Sequence, residues 1–281
     1  MSAYNEIEEN VKEYLSNVDI DFSLPLVDTK IQILEELLII YQLEEKELLN
    51  EEQQCFRYCL ENILNKELSK SYIYYENTQK VLNLKELDLP DQRTPEWYEM
   101  RKNKLTASSF ADALGKGHFK TRDEAILDKI IDAPFVENPI TEWGVKYEEV
   151  ATRFYEYLTG ATIYEFGLIP HPDFPAFGAS PDGICDINSP PKFIGRMLEI
   201  KCPPKRKFTK SVPPHYMMQM QGQLEVCDLE ECDFLQVKLE EYENYDDYKS
   251  DIHTDPSKFG FTSEDLPKGY TITYLKEPNS N

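Results

Sequence analysis

The sequence predicts a mixed α/β or α+β domain, with a central mixed sheet flanked by helices and a helical segment ahead of it. Three observations carry this prediction. Apolar residues recur at helical spacing through much of the first 90 positions. From residue 161 onward, short apolar runs broken by Gly and Pro read as strands. Two further helical stretches, TEWGVKYEEVATRFYEYL and PPHYMMQMQGQLEVC, are interleaved with those strands, giving the order helix, three strands, helix, strand. With 281 residues and 41% hydrophobic side chains, the chain can bury the core of one large domain, or of a catalytic domain with an appendage.

Taken in order, Ile31, Ile33, Leu34, Leu37, Leu38, Tyr41 and Leu48 mark a helix from Thr29 to about Asn50. Asn50 with Gln53 three residues on forms a capping box for a second helix through Leu68, and a third runs from Ser71 to Leu87. LDLPDQRTP breaks the pattern, so residues 1–90 form a helical appendage or lid in which nothing points to chemistry. Residues 91–281 are the second domain. There TPEWYEMRKNKLTASSFADALGKG reads as helix, short turn, helix, with Thr106 or Ser108 near the second N-terminus. A longer helix covers Thr141 to Leu158 and is ended by Thr159-Gly160. The strand runs are ATIYEFGLIPH, FPAFGASPDGIC, RMLEIKC and CDFLQVKL, with INSPPKFIG as a turn. An acidic, Tyr-rich tail from Glu240 carries one more strand, YTITYL.

A formal charge of -22 argues against phosphate binding over the surface as a whole, because Lys and Arg must neutralise the backbone of a nucleic acid. The distribution qualifies the mean: residues 1–90 carry -11, residues 91–239 carry -5 and residues 240–281 carry -6. The least acidic part holds the one basic cluster, Lys201, Lys205, Arg206, Lys207 and Lys210, which allows a local positive groove within an acidic shell. The start, MSAYNEIEENVKEYL, has no secretory pattern and no stretch approaches the roughly 20 apolar residues of a membrane span, so a soluble, intracellular protein with no membrane partner is expected. Six cysteines lack zinc-site spacing and read as reduced thiols; four scattered histidines do not make a metal site.

The chemistry lies in FGASPDGICD and MLEIKCPPKRK. Alternate residues of a strand share a face, so Glu199 and Lys201 point the same way, and Asp182 lies on the neighbouring strand if the turn lets the two pair. An isolated E-x-K is most often a surface ion pair. Here the two carboxylates and the Ile200 carbonyl supply hard oxygens suited to Mg2+ or Mn2+, and Lys201 stands where it could orient or deprotonate an attacking water. An acidic pair with E-x-K across a hairpin is the PD-(D/E)XK nuclease pattern.

Six strings in order strengthen it: Trp97-Tyr98-x-x-Arg101, Leu105-Thr106-Ala107-Ser108, Trp143-Gly144 with Glu148, Ala179-Ser180-Pro181-Asp182-Gly183, Glu199-Ile200-Lys201-Cys202-Pro203 and Tyr216-x-x-Gln219-x-Gln221. Over residues 93–240 the chain resembles the phage lambda exonuclease family, which includes the YqaJ-type viral recombinases and is related to the alkaline exonucleases of large DNA viruses. The resemblance implies a PD-(D/E)XK, restriction-endonuclease-like core. It implies metal binding by Asp182, Glu199 and the Ile200 carbonyl, a water assisted by Lys201, and Glu148 as a further acidic ligand or contact to a second metal, with Glu149 as the register alternative. It implies that Arg101, Ser108, Ser180 and Gln219 grip the 5′ phosphate of a DNA strand, donors whose chemistry suits phosphate oxygens. Lys205, Arg206 and Lys207 follow the catalytic strand and read as an edge that tracks the DNA backbone. Trp97, Tyr98, Trp143 and Tyr216 read as packing anchors.

The implied activity is Mg2+-dependent 5′-to-3′ degradation of one strand of double-stranded DNA, for recombination or the processing of replication intermediates. Its partners would be duplex ends and a single-strand annealing protein, and its place the host cytoplasm or nucleus if the source is viral. The competing readings are a structure-selective DNA or RNA endonuclease of the same fold and a non-catalytic module that holds DNA ends. The surface is more acidic than the family's and the N-terminal helices have no counterpart in it, which leaves the oligomeric state and the DNA path open.

Overall fold

The computed structural model describes residues 3–43, 50–118, 120–131, 139–205, 207–208 and 210–272. They cluster into two compact units, Met1–Gln79 and Lys80–Asn281.

The first unit is built from α1 (Ala3–Asn17), α2 (Leu26–Ile40) and most of α3 (Glu51–Lys85). Helix α1 escapes a reading by composition because its apolar residues are few and set among glutamates. Ile7, Val11, Tyr14 and Leu15 nevertheless share one face, and pack with Ile33, Leu37, Leu60, Ile63, Leu64 and Leu68. Asn50 and Gln53 make the expected reciprocal cap, Gln53 N donating to Asn50 Oδ1 at 2.9 Å and Asn50 N to Gln53 Oε1 at 3.1 Å. The second and third expected helices are one uninterrupted helix of 35 residues. No Gly or Pro stands between Leu68 and Ser71, and the Ser69 and Ser71 hydroxyls bond back to the Asn65 and Glu67 carbonyls at 2.7 and 3.1 Å, so the helix absorbs them without a break. Helix α2 stops at Ile40, short of Asn50, and Gln42 follows in the left-handed region at φ 54.

In the second unit, the expected helix, turn, helix resolves into α4 (Pro95–Lys102), a two-residue strand β1 (Leu105–Thr106), a 3-10 turn at Ala107–Ser109 and the single turn α5 (Phe110–Ala113). Helix α6 (Arg122–Ile130), which apolar periodicity does not reveal, opens on a full capping box between Thr121 and Glu124. The long helix α7 spans Pro139–Thr159. Strands β2 (Ile163–Tyr164), β3 (Ile169–Pro170), β4 (Phe177–Ala179), β5 (Gly183–Cys185) and β6 (Met197–Lys201) lead to α8 (Pro214–Cys227), β7 (Cys232–Gln236) and the short α9 (Tyr245–Ser250). Of YTITYL, Tyr270 to Ile272 carry no strand and the remainder lies outside the described residues.

The α/β layout is as expected, but two mixed sheets stand where one was expected, ordered β1-β4-β3 and β2-β5-β6-β7. The division falls at Ser180-Pro181-Asp182, inside the run read as a single strand. Pro181 has no N–H to give to a ladder. Its carbonyl accepts from the Gln92 amide at 3.2 Å, while the Ile200 N–H across from it donates to the Asp182 carboxylate at 2.6 Å. Side chains thus replace the rungs that would have joined β4 and β5 into one strand. Strand β5 then pairs antiparallel with β6, Gly183 opposite Leu198, and β6 pairs parallel with β7. Gly183 is required by crowding: a Cβ there would stand 2.3 Å from Ile163 Cγ2 on β2.

Strand β6 divides its side chains by the period of two. Leu198 and Ile200, with Cys202, pack with Tyr147, Ala151 and Tyr155 of α7, whereas Met197 joins a separate cluster with Ile184, Ala179 and Val226 of α8. Glu199 and Lys201 share the face of Met197. A carboxylate is thereby carried into the interior between the sheet and α8.

Candidate active site

Glu199 is fully buried, at 0% exposure, and is surrounded by donors. Its Oε1 accepts from the Gln219 amide at 2.7 Å and from the Lys201 ammonium, and its Oε2 from the Gln223 amide at 2.8 Å. Such charge-assisted bonds compensate the desolvation of the carboxylate. Asp182, directly ahead of β5, lies opposite Glu199 in the extended register, and its carboxylate is bound by the Ile200 N–H. Lys201 Nζ also reaches the Ile200 carbonyl at 3.0 Å. The sequence-predicted set Asp182, Glu199, Ile200 and Lys201 is therefore gathered at one end of the β5–β6 pair.

Glu148 projects from α7, and its Oε2 meets Arg93 Nη2 at 2.7 Å. The neighbouring Glu149 is 77% exposed and faces Arg153 at 3.7 Å. Burial, then the charges of Glu199 and Glu148, push the Asp182 carboxyl well above its ordinary range, against the pull of Lys201 and the Ile200 N–H. Burial likewise raises Glu148, which Arg93 offsets only in part. Burial works against the Lys201 charge, but Glu199 and Asp182 outweigh it and hold the ammonium in its charged form. Asp182 and Glu199, two carboxylates whose charges oppose one another, and the Ile200 backbone carbonyl are hard-oxygen donors whose repulsion a divalent cation would relieve, so the residues fit Mg2+ or Mn2+. Among the described residues no three acidic, His or Cys side chains already converge as a metal cage, since Glu148 is turned to Arg93 and Glu199 to Lys201 and the two glutamines.

A second group forms around Trp97 on α4. The Arg101 guanidinium lies 4.3 Å from the indole ring, and its Nη2 makes long contacts with Thr106 Oγ1 at 3.4 Å and Ser108 Oγ at 3.3 Å. The indole Nε1 donates to Ser180 Oγ at 3.1 Å. Burial lowers the Arg101 pKa, and among the described residues no carboxylate pairs with it. A desolvated guanidinium beside two hydroxyls is an anion-seeking arrangement. Of the four residues expected at a 5′ phosphate, Arg101, Ser108 and Ser180 are brought together through Trp97. Gln219 instead donates to Glu199. Lys205 and Lys207 are exposed on the segment after β6, and Arg206 lies outside the described residues.

Three residues of the site were not read from the sequence. Gln223 follows Gln219 by one helical turn, a spacing that places both amides on one face and could have been noticed. Gln92 fixes the loop ahead of α4 by donating to the Phe166 and Pro181 carbonyls at 2.8 and 3.2 Å. For Arg93, in the loop QRTP, local sequence offers no signal.

Comparison with known proteins gives the following. A model of the YqaJ-like viral recombinase domain matches residues 96–230. The uncharacterized protein R354 of Acanthamoeba polyphaga mimivirus is 34% identical over 198 residues, 66% of this chain and 36% of that protein. Protein D345L of African swine fever virus (strain Badajoz 1971 Vero-adapted) is 26% identical over 162 residues, 49% of this chain and 46% of that protein. The chain thus spans less than half the length of these relatives. The crystal structure of an alkaline exonuclease from Laribacter hongkongensis aligns with 30% identity and a TM-score of 0.42 over 52% of this chain and 74% of that one. The structure of the same exonuclease with dAMP gives 30% identity and 0.42 over 55% and 77%.

Proposed function

We propose, from the match of residues 96–230 to the YqaJ-like viral recombinase domain, that the chain is a Mg2+- or Mn2+-dependent exonuclease degrading one strand of double-stranded DNA from the 5′ end. The observation that carries the reading is the meeting of Asp182, Glu199, the Ile200 carbonyl and Lys201 on one paired strand end. When bound, a divalent ion held by Asp182, Glu199 and the Ile200 carbonyl would supply activation of water and absorb charge on the leaving oxygen. The remaining work falls to side chains. Lys201, kept charged by Glu199 and Asp182, acts as a donor that orients the attacking water, and a proton acceptor role is disfavoured for it. Gln219 and Gln223 fix the Glu199 carboxylate in one orientation. Arg101, Ser108 and Ser180 receive the terminal 5′ phosphate, which sets how far the strand enters and hence which bond meets the acidic residues. Lys205, Arg206 and Lys207 track the backbone. The product, a duplex with a 3′ single strand, is what an annealing protein would take up.

The deciding experiment offers linear, nicked circular and closed circular DNA with and without Mg2+. Mg2+-dependent shortening of linear duplex from labelled 5′ ends, with closed circles untouched, is the expected result. Internal cutting of closed circles would favour the structure-selective endonuclease, and binding of ends without hydrolysis the non-catalytic module.

A further inference from the structure

We propose that helix α2 of the first unit is a docking face for a basic amphipathic helix of a partner protein. The helix carries two apolar stripes, where packing within the unit requires one. The first holds the buried Thr29, Ile33 and Leu37. The second is Val27, Ile31, Leu34 and Leu38, continued by Tyr41 at the C-cap, at the alternating four- and three-residue spacing of the a and d positions in a helix-to-helix seam. Its C-terminal part is covered: Tyr41 meets the Phe56 ring at 5.0 Å, and Leu34 and Leu38 lie half-buried against the cluster of the first unit. Its N-terminal part is not, since Val27 is 66% exposed and Ile31 52%. Both are β-branched and stiff at χ1, so ordering them against a partner costs little. Where Leu26 leads into Val27 the surface opens a groove of about 550 Å³, lined by Phe22, Leu24, Leu26, Tyr72 and Ile73. Its walls are fixed. Phe22 stacks on Tyr75 at 4.8 Å, and the Tyr72 hydroxyl donates to the Leu24 carbonyl at 2.8 Å and shares a bond with the Thr29 hydroxyl at 2.6 Å. Charge decides what the face takes. Asp28 and Glu35, exposed and seven residues apart, both follow a d residue, at the flanking position where charges select the partner helix. Glu76 adds a carboxylate at the groove. Lys30, the lysine of α2, is turned to Asn65 of α3 at 3.2 Å. Residues 1–90 carry -11, so a second copy and DNA would both be repelled here, whereas aliphatic residues flanked by Lys or Arg complement the stripe and the carboxylates together.

The test is fluorescence anisotropy of the full chain with a labelled synthetic helix of about three heptads, Leu at a and d and Lys at e and g, kept dilute enough to be monomeric. A counterpart carries Glu at e and g. The wild type is expected to bind the Lys helix at least about tenfold more tightly than the Glu helix. Val27→Ser combined with Ile31→Ser should weaken that binding at least about tenfold, by removing the apolar area that would be buried. Asp28→Lys combined with Glu35→Lys should move the preference to the Glu helix, whereas Glu243→Lys combined with Asp246→Lys, equal in charge but in the C-terminal acidic segment, should leave it unchanged. Equal binding of the two helices by the wild type overturns the proposal, as does a preference that the tail variant shifts as far as the α2 variant does. A chain that sediments as a dimer without peptide, and that Ile31→Ser separates, assigns the face to a second copy and overturns the basic partner. If the Val27 and Ile31 variant does not fold, the charge reversal at Asp28 and Glu35, confined to exposed positions, decides by itself.

Discussion

Gln223 and Glu199 are joined by a buried hydrogen bond of 2.8 Å from the amide Nε2 of one to the Oε2 of the other. Gln223 is 1% exposed, and its own Oε1 has no partner among the described residues, so the amide is held there for its donor. Gln223→Leu leaves one oxygen of a buried carboxylate without its bond, a loss of about 1–3 kcal/mol. The variant is therefore expected to unfold at lower urea concentration and to lose kcat while KM for DNA changes little. An unaltered kcat in folded protein would show that Gln219 and Lys201 alone orient Glu199.

Asp182→Asn, Glu199→Gln and Lys201→Ala are each expected to abolish DNA cleavage while the circular dichroism spectrum is retained. The loss of a ligand or of the orienting ammonium is worth several kcal/mol in the transition state, with each ~1.4 kcal/mol a tenfold loss in rate. Near-normal hydrolysis by Asp182→Asn is the result that removes this assignment.

The raised pKa of Asp182 has a consequence for stability. In the unfolded chain this carboxyl ionises around its ordinary value of 3.8, whereas in the fold burial, Glu199 and Glu148 keep it protonated to higher pH. Above pH ~4 the folded state thus binds more protons than the unfolded state, and stability falls as pH rises towards the folded pKa. In chelator at pH 7, Asp182→Asn should melt above the wild type, by about 2–4 °C for each ~1 kcal/mol regained, with the difference shrinking as pH approaches 4. Added Mg2+ should raise the wild type and not the variant. A variant that melts lower at pH 7 contradicts the sign of the argument.

How much of this was legible in the sequence depends on the range of the interaction. Glu199 and Lys201 could be placed on one face because a strand has a period of two, and Asp182 beside them because Gly183 and the SPPKFIG turn allow its strand to pair with β6. The Asn50 cap was visible because its partner is three residues away. The split into two sheets was not, since it requires knowing that the Asp182 side chain, and not a backbone carbonyl, takes the Ile200 N–H. Arg93 was invisible for the same reason: its partner is 55 residues distant, and only the tertiary fold brings the two together. Helix α6 has no buried residue, so no apolar stripe announced it; its capping box was the available sign.

The basic segment after β6 bears on where the DNA runs. Lys205 and Lys207 are exposed, in a molecule whose formal charge is -22, so they stand out as local attractors for phosphate. Reversing Lys205, Arg206 and Lys207 to Glu is expected to weaken duplex binding strongly and to flatten its dependence on salt, because that slope counts the phosphates neutralised, about 0.9 per contact on B-DNA. Fluorescence anisotropy across a salt series measures both. Binding with an unchanged slope would place the DNA on another face.

The Trp97 group bears on polarity. Arg101 is desolvated, stacked on the indole 4.3 Å away and unmatched by a carboxylate among the described residues, with Ser108 at 3.3 Å and Ser180 held by the indole N–H at 3.1 Å. Lys129 adds a second positive charge by donating to the Arg101 carbonyl at 3.0 Å, and its own pKa is lowered by burial and by Arg101. If this group receives the terminal phosphate, a duplex bearing a 5′ phosphate should be degraded much faster than the same duplex with a 5′ hydroxyl. Arg101→Ala should erase most of that preference, since each charge-assisted bond lost is worth about 1.5–3 kcal/mol. Mn2+ binding should survive the substitution, because Arg101 touches none of the acidic residues. Indifference of the wild type to the 5′ phosphate, or shortening of labelled duplexes from the 3′ end, would reverse the polarity while leaving the hydrolytic role of Asp182, Glu199 and Lys201 intact.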